Sequence, residues 1–318
     1  MSARDGVEMK SSCGVAVVIL NWRTPELAER CVQSVLDSQF PSGRMRVLVV
    51  DNNSRDGSPA ALRSRFRDRI EVIESEQNRG YAGGMNGGLK RARELAAEYS
   101  LLLNSDTRVH ETAIEQLYRA AETLPDGALF GARIHDVGKP THRWFVGGRW
   151  DWGQGTIRAA WEHAADSLSH EPRQMEFLSG AAMLVRMSAL ERIGMFDERF
   201  GLYFEDGDLC CRAARSGFTL WHIPHAAVWH VVGASMTKAN EAVQIDIGQY
   251  YRTRNRLLWG SKNLTGLRAA AFWLHIAIRW PFKLLCLLLP GRRSRAKGLI
   301  RGVWDFVRGY YGMIAADG

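Results

Sequence analysis

The chain has 318 residues, 46% hydrophobic and 24% charged, the proportions of a globular protein with a real core rather than of a disordered polar chain. Its net charge of +8 is uneven: residues 251–318 hold thirteen Lys/Arg against Asp305 and Asp317, while residues 1–250 carry a net charge of −3. A basic tail on a mildly acidic body points to an anionic surface as its partner. Those basic residues lie among Trp and apolar residues and form no nucleic-acid-binding motif, so nucleic acid is not expected.

Taken in chain order, VAVVIL (15–20) and RVLVVD (46–51) are short β-branched runs of the kind buried parallel strands require. Between them PELAERCVQSVLDSQ (25–39) places Leu27, Cys31, Val35 and Leu36 on one helical face, with Pro25 in the first turn. A helical patch near 58–67, the strand IEVIE (70–74) and a Gly-rich entry into a helix at 80–98 follow. Next come LLLN (101–104), a helix at 111–122 and the strand ALFGARI (128–134). Strands alternating with helices predict an α/β domain with a mostly parallel sheet flanked by helices. Residues 138–176 hold four Trp among glycines and charges and predict hairpins and loops. EFLSGAAMLVRM (176–187) reads as another buried strand, followed by the helix SALERIG.

From residue 241 the chain turns helical and basic. AAAFWLHIAIRWPFKLLCLLLP (269–290) is long enough to span a bilayer, but His275, Arg279, Pro281 and Lys283 interrupt it. Trp273, Trp280 and Trp304 beside Arg and Lys suit the membrane–water interface, and a helical subdomain packed on the core is the other reading. The expected division is an N-terminal tail 1–14, a catalytic domain 15–240 and a membrane-associating region 241–318. The first fourteen residues lack a long apolar core, and the five cysteines contain no CxxC. No signal peptide and a reduced, cytosolic setting are therefore expected.

Four polar stretches carry candidate chemistry. Asp51 ends a strand and opens DNNSRDGS, where α/β sheets bind ligands, although Asp and Asn are also common turn formers. NRGYAGGMNGG (78–88) could bring helix N–H groups to a phosphate, or let the helix pack closely on the sheet. In LLLNSD (101–106), Asp106 offers Mg²⁺ or Mn²⁺ a carboxylate, with Asn104 or Ser105 assisting, or else it caps the next helix. FEDGD (204–208) gathers Glu205, Asp206 and Asp208; mutual repulsion requires at least one to point elsewhere, and one in a cleft could act as a general base. His230, in an apolar run, is a structural residue or a supplement to Asp106 at a metal.

Taken in order, VVILNW, VVDNNSRDGS, NRGYAGGMNGG, LLLNSD, FLSGAAMLVRM, FDERFGLYFEDGDLCCR and WHVVGAS resemble the family 2 glycosyltransferases with the GT-A fold. The similarity is greatest to their bacterial rhamnosyltransferase-like branch, and it spans about residues 15–236. It implies that Asn21, Asp51 and Asn53 meet the base and ribose of a nucleotide sugar, with Arg79, Gly80 and Asn86 beside them. It implies further that Asn104, Ser105 and Asp106 form a DxD-like element for Mg²⁺ or Mn²⁺, with Asn104 in place of its first acid and His230 as a compensating ligand. Asp206 matches the family's catalytic base, Glu205 its orienting partner, and Asp208 a supporting residue. The expected reaction is inverting transfer, from dTDP-L-rhamnose or alternatively UDP-galactofuranose or another UDP-sugar. The expected acceptor is a polyprenyl-diphosphate-linked saccharide in cell-envelope polysaccharide synthesis, at the inner face of the membrane. A non-catalytic carbohydrate-binding protein is the alternative from another class.

Overall fold

The protein is described here by a computed structural model covering residues 13–137, 143–163, 171–231, 245–287, 289 and 291–314. The first half alternates as predicted: β1 (Val15–Asn21), α1 (Pro25–Leu36), β2 (Met45–Asp51), α2 (Ser58–Phe66), β3 (Glu71–Glu74), α3 (Gly80–Glu94) and β4 (Tyr99–Asn104). Then follow β5 (Thr107–Val109), α4 (Ala113–Thr123), β6 (Gly127–Asp136), β7 (Arg143–Asp151), β8 (Thr156–His163), β9 (Arg173–Gln174) and β10 (Ala182–Arg186). α5 (Met187–Ile193), α6 (Glu205–Arg215) and β11 (Thr219–His230) complete the sheet region, and α7 (Ile247–Asn263), α8 (Gly266–Leu287) and α9 (Arg293–Arg308) form the tail.

One sheet runs in the order β3-β2-β1-β4-β10-β6-β11-β5. β3, β2, β1 and β4 are parallel, and β6 pairs parallel with β11. β10 is antiparallel to both its neighbours, and the β7–β8 hairpin extends antiparallel from β6. The α/β organisation expected from the sequence is present, with a mixed second half. β10 reverses because its approach through 176–181 is a loop rather than the strand anticipated there: the Ala181 carbonyl accepts from Asn104 N–H at 3.2 Å, and Gly180 N–H turns to Asp206.

Helices cover both faces. Cys31, Val35, Leu62, Phe66, Ile114 and Leu117 pack α1, α2 and α4 on one side. α3, α5, α6 and α7 pack the other through Met85, Leu89, Leu190, Leu209 and Trp259. Central strands such as β1 are buried along almost their whole length, so they read as continuous apolar runs rather than alternating ones. A Cβ on Gly84 would lie 2.3 Å from Leu20, and one on Gly88 2.2 Å from Val18. The Gly-rich segment thus serves first to seat α3 against β1.

The tail is built into this body. The Trp259 indole is fully buried and stacks on Trp150 at a centroid distance of 4.0 Å. α9 lies along α7, with Tyr250 donating to Asp305 at 2.8 Å. α8 touches the body chiefly through Phe272, Trp280 and Leu287.

Candidate active site

Three strand ends and one helix start meet on one side of the sheet. β1 and β2 end in register at Asn21 and Asp51, and β4 ends at Asn104. Asn21 is fully buried and donates to Asp51 at 2.9 Å and to Ser54 at 3.3 Å. Thr24 donates to Asn21 at 3.1 Å, and the Thr24 and Ser105 hydroxyls are 2.7 Å apart. A continuous buried polar chain therefore locks the Asp51 loop to the LNSD turn. Within it Asn21 and Ser105 have their side chains committed to neighbours, so they position the site. Asp51 and Asn53 line an open cleft together with Arg55, Glu74 and Ser75.

Arg79, Gly80 and Asn86 are turned elsewhere. Asn86 is 4% exposed, and its amide exchanges hydrogen bonds with Phe196 and donates to Glu198 at 3.0 Å. Arg79 pairs with the same Glu198 at 2.5 Å. Gly80 has φ +68°, and its ideal Cβ would meet the Gly201 carbonyl at 2.4 Å, a place only glycine fills. Ala82 N–H donates to that carbonyl at 3.1 Å. The start of α3 therefore grips the 196–204 loop, and only the Arg79 guanidinium remains a means of reaching an anion from this segment.

Asp106 is not a helix cap. It lies in the turn between β4 and β5, ahead of α4 by a whole strand. Its Oδ1 is buried, receives no aligned hydrogen bond among the described residues, and lies 2.9 Å from His230 Nε2. The Asn104 amide is 3.3 Å from the same nitrogen. β11 brings His230 there, its end pairing with Thr107 of β5. A carboxylate oxygen and an imidazole nitrogen facing one point suit Mn²⁺ or Mg²⁺, which complete their shells with water and substrate phosphate oxygens. Among the described residues no group of three His, Cys, Asp or Glu converges on a metal. Asp106 and His230 could hold such an ion only together with water and substrate phosphate oxygens.

The acidic cluster divides as repulsion required. Asp208 is fully buried and turned to Arg212 at 2.8 Å, Lys262 at 2.9 Å and Asn263 at 3.1 Å. Asp206 faces the other way and accepts from Gly180 N–H at 3.2 Å and Gly207 N–H at 2.8 Å. Burial raises its pKa to about 6 against these hydrogen bonds. Glu205 is pushed well above the ordinary carboxylate range by burial and then by the charge of Asp206, and its Oε2 has no hydrogen-bond partner among the described residues. Ala181 holds Asn104 and Gly180 holds Asp206, so the LNSD turn and the acidic pair lie on either side of one short loop.

Two residues of α7 not singled out from the sequence, Arg254 and Asn255, hold this geometry. Tyr203 and Phe204, just before Glu205, have φ +68° and +75°, costly for non-glycine residues. Asn255, fully buried, donates to the carbonyls of Phe200, Leu202 and Tyr203 at 2.7–2.8 Å. Arg254 donates to Phe200 at 2.8 Å and, with Gly312, ties the chain's end to the same loop. The signal available was two polar residues at buried positions of a helix otherwise lined by Tyr250, Tyr251 and Leu258.

The fold is that of the GT-A glycosyltransferases. The chain belongs to glycosyl transferase family 2, whose family model matches residues 15–194. It is 30% identical over 208 residues to the N-acetylglucosaminyl-diphospho-decaprenol L-rhamnosyltransferase of Mycobacterium tuberculosis, covering 58% of this chain and 66% of that relative. A dTDP-rhamnosyl transferase of Shigella flexneri is 23% identical over 275 residues, covering 84% of this chain and 87% of the relative. Among solved structures, a mannosyltransferase from Pyrobaculum calidifontis in complex with GDP-Man and Mn²⁺ superposes with a TM-score of 0.56 at 14% identity, over 92% of this chain and 86% of that one.

Proposed function

We infer that the protein is an inverting glycosyltransferase that moves L-rhamnose from dTDP-L-rhamnose onto a polyprenyl-diphosphate-linked saccharide in cell-envelope polysaccharide synthesis. The observation that carries this reading is Asp206. It is a carboxylate with a raised pKa, fixed by two backbone N–H groups, one loop away from Asp106 and His230. Asp206 takes the proton of the acceptor hydroxyl as its oxygen forms a bond to the anomeric carbon and the bond to dTDP breaks on the opposite face. Glu205, adjacent to Asp206 at the start of α6, would orient it or the acceptor. Asp51 and Asn53 receive the nucleoside in their cleft, and Arg79, whose backbone N–H donates to Asn52 next to it, would have to leave Glu198 to meet the phosphates. A divalent cation held by Asp106 and His230 would stabilise charge on the leaving diphosphate. The names of the two relatives support rhamnose, and the mycobacterial one supports a lipid-diphosphate acceptor.

The lipid part has support in the tail. α8 is long and apolar enough to cross a membrane, at a hydropathy of 1.3, yet it lies along the body by one stripe. Its opposite face exposes Leu267, Leu274, Ile278, Phe282 and Leu285, and α9 adds Ile300, Trp304 and Val307. Basic residues of α9 flank that face, which suits a helix pair lying on an anionic bilayer at the cytoplasmic side.

A nucleotide-sugar panel tests the reaction: dTDP-L-rhamnose should support transfer with inversion, and Asp206→Asn should lower kcat by about 10²–10⁴-fold while dTDP still binds. Undiminished turnover in that variant would remove the base assignment. Transfer from a UDP-sugar alone would replace the donor.

A further inference from the structure

We propose that Arg252 and Arg256 of α7 and Lys283 of α8 form the seat for the diphosphate of the lipid-linked acceptor. The proposal rests on the acceptor class inferred above and names the residues that would recognise it.

α7 and α8 form an antiparallel pair. Gly260 lies against the Phe272 ring, and one turn further Arg256 lies over the Trp280 ring at 5.7 Å. The charges of Arg256 and Arg252 both act on Lys283. Arg252 and Arg256 are four residues apart, as are His275, Arg279 and Lys283, so each set makes one stripe along its helix. The α8 stripe borders the buried one, and the apolar face lies across the helix from it. Charge therefore gathers where the body meets the surface that faces lipid.

These cations have no counter-ions of their own. Among the described residues no carboxylate forms an ion pair with Arg252, Arg256, Arg279 or Lys283, and Asp151, whose charge reaches Arg256 and His275, is bound by Arg158 at 2.8 Å. Other tail cations are matched: Arg301 with Asp305 at 2.8 Å, and Lys262 with Asp197 and Asp208 at 2.8 and 2.9 Å. Burial pushes Arg256 down to about 10, with the charge of Asp151 opposing it. Lys283 is held below the ordinary lysine value by burial and then by Arg256 and Arg252. Like charges gathered without a partner repel one another, and a bound anion of matching charge relieves that repulsion. Arg256 spends Nε and one terminal nitrogen on the Gln154 carbonyl, and its Nη1 makes no hydrogen bond among the described residues.

The cluster adjoins the reacting centre. The Arg252 guanidinium lies 5.2 Å from the centre of the Tyr203 ring, and the Tyr203 phenol is pushed up by burial, with the Arg252 charge opposing and the Glu205 charge adding to the shift. An anion bound here stands beside the acidic pair and at the level of lipid headgroups. A diphosphate joining a sugar to a lipid chain spans that junction, and guanidinium forks match its paired oxygens.

Phosphate in this position has two sources, the acceptor or bilayer headgroups, and the experiment separates them. Full-length protein is assayed with N-acetylglucosamine carried on a short, water-soluble prenyl diphosphate and with the same sugar as a neutral alkyl glycoside. Arg252→Gln and Lys283→Gln should each lower the preference for the diphosphate acceptor by about tenfold, the loss of one charge-assisted contact. Lys283→Arg should keep the preference, and the donor KM and pelleting with phosphatidylglycerol vesicles should not move. An intact preference in both Gln variants overturns the proposal. So does reduced pelleting with an intact preference, which assigns the cluster to headgroups. If the wild type transfers sugar to neither acceptor, the functional reading fails separately. Binding of farnesyl diphosphate, with the nucleotide cleft filled by excess dTDP, then decides: loss in both Gln variants sustains the seat, and wild-type binding overturns it.

Discussion

Asp206 and Glu205 are adjacent residues at the start of one helix, and burial drives both carboxyls toward the protonated form. A base must be ionised, so kcat/KM should fall as pH drops through about 6, the value to which Asp206 is raised. Stability should move the opposite way. The native state holds its proton more tightly than the unfolded chain, so Asp206 lowers stability as pH rises between about 4 and 6. Thermal melts across pH 4–8 check this: the decline with pH should shrink in Asp206→Asn. At Asp106, the buried oxygen facing His230 makes metal dependence the measurable quantity. His230→Ala should raise the Mn²⁺ concentration for half-maximal activity by at least about tenfold, read by titration of an apo enzyme. An unchanged titration would return His230 to a structural role. Asp208 shows why three acids in five residues could not be sorted by sequence. The helix turns them to different sides, and its partners Lys262 and Asn263 are more than fifty residues away.

At the scale of elements, Gly88 of α3 and Asn255 of α7 support the site without touching its chemistry. Gly88 lets α3 approach β1 so closely that a methyl group would sit 2.2 Å from Val18. Gly88→Ala should cost about 1–3 kcal/mol by forcing helix and sheet apart, seen as a lower midpoint in denaturant. The five glycines of 78–88 left phosphate binding and helix packing equally open, because both need the same absence of a side chain. Only the neighbours of each Cβ position separate the two. Asn255 of α7 holds three carbonyls of the strained 200–203 loop. Asn255→Ala leaves them buried and unpaired at a cost of about 1–3 kcal/mol. Its kcat should drop further than its donor KM changes, since the loop positions Glu205 and Asp206 while the nucleotide cleft lies on β2. Equal effects on both would mean that Asn255 serves stability alone.

Across the whole molecule, the tail is both part of the core and part of the surface. α7 and α9 pack together through Tyr250 and Asp305, and residue 312 returns to the active-site loop, so deleting 266–318 would damage the fold as well as any anchor. Point charges on α8 are the cleaner probe. Leu274→Glu with Ile278→Glu, both more than half exposed, should leave the melting temperature unchanged. Pelleting with anionic vesicles should weaken by at least about tenfold for each side chain withdrawn from the apolar layer. Equal pelleting would argue against a lipid-facing α8. By itself, the sequence determined the alternating strands and helices of the first half, the candidate acids and the basic tail. Periodicity, turn chemistry and charge are local, and they survive in a linear reading. Only the tertiary structure decided that Asp106 faces His230, that Asn86 and the start of α3 grip the 196–204 loop, and that α7 clamps Tyr203. Each depends on contacts between segments fifty or more residues apart, which no local pattern encodes. The LNSD turn is the clearest case: its sequence allowed a capped loop, and the arrival of β11 turned it into half of a candidate metal site.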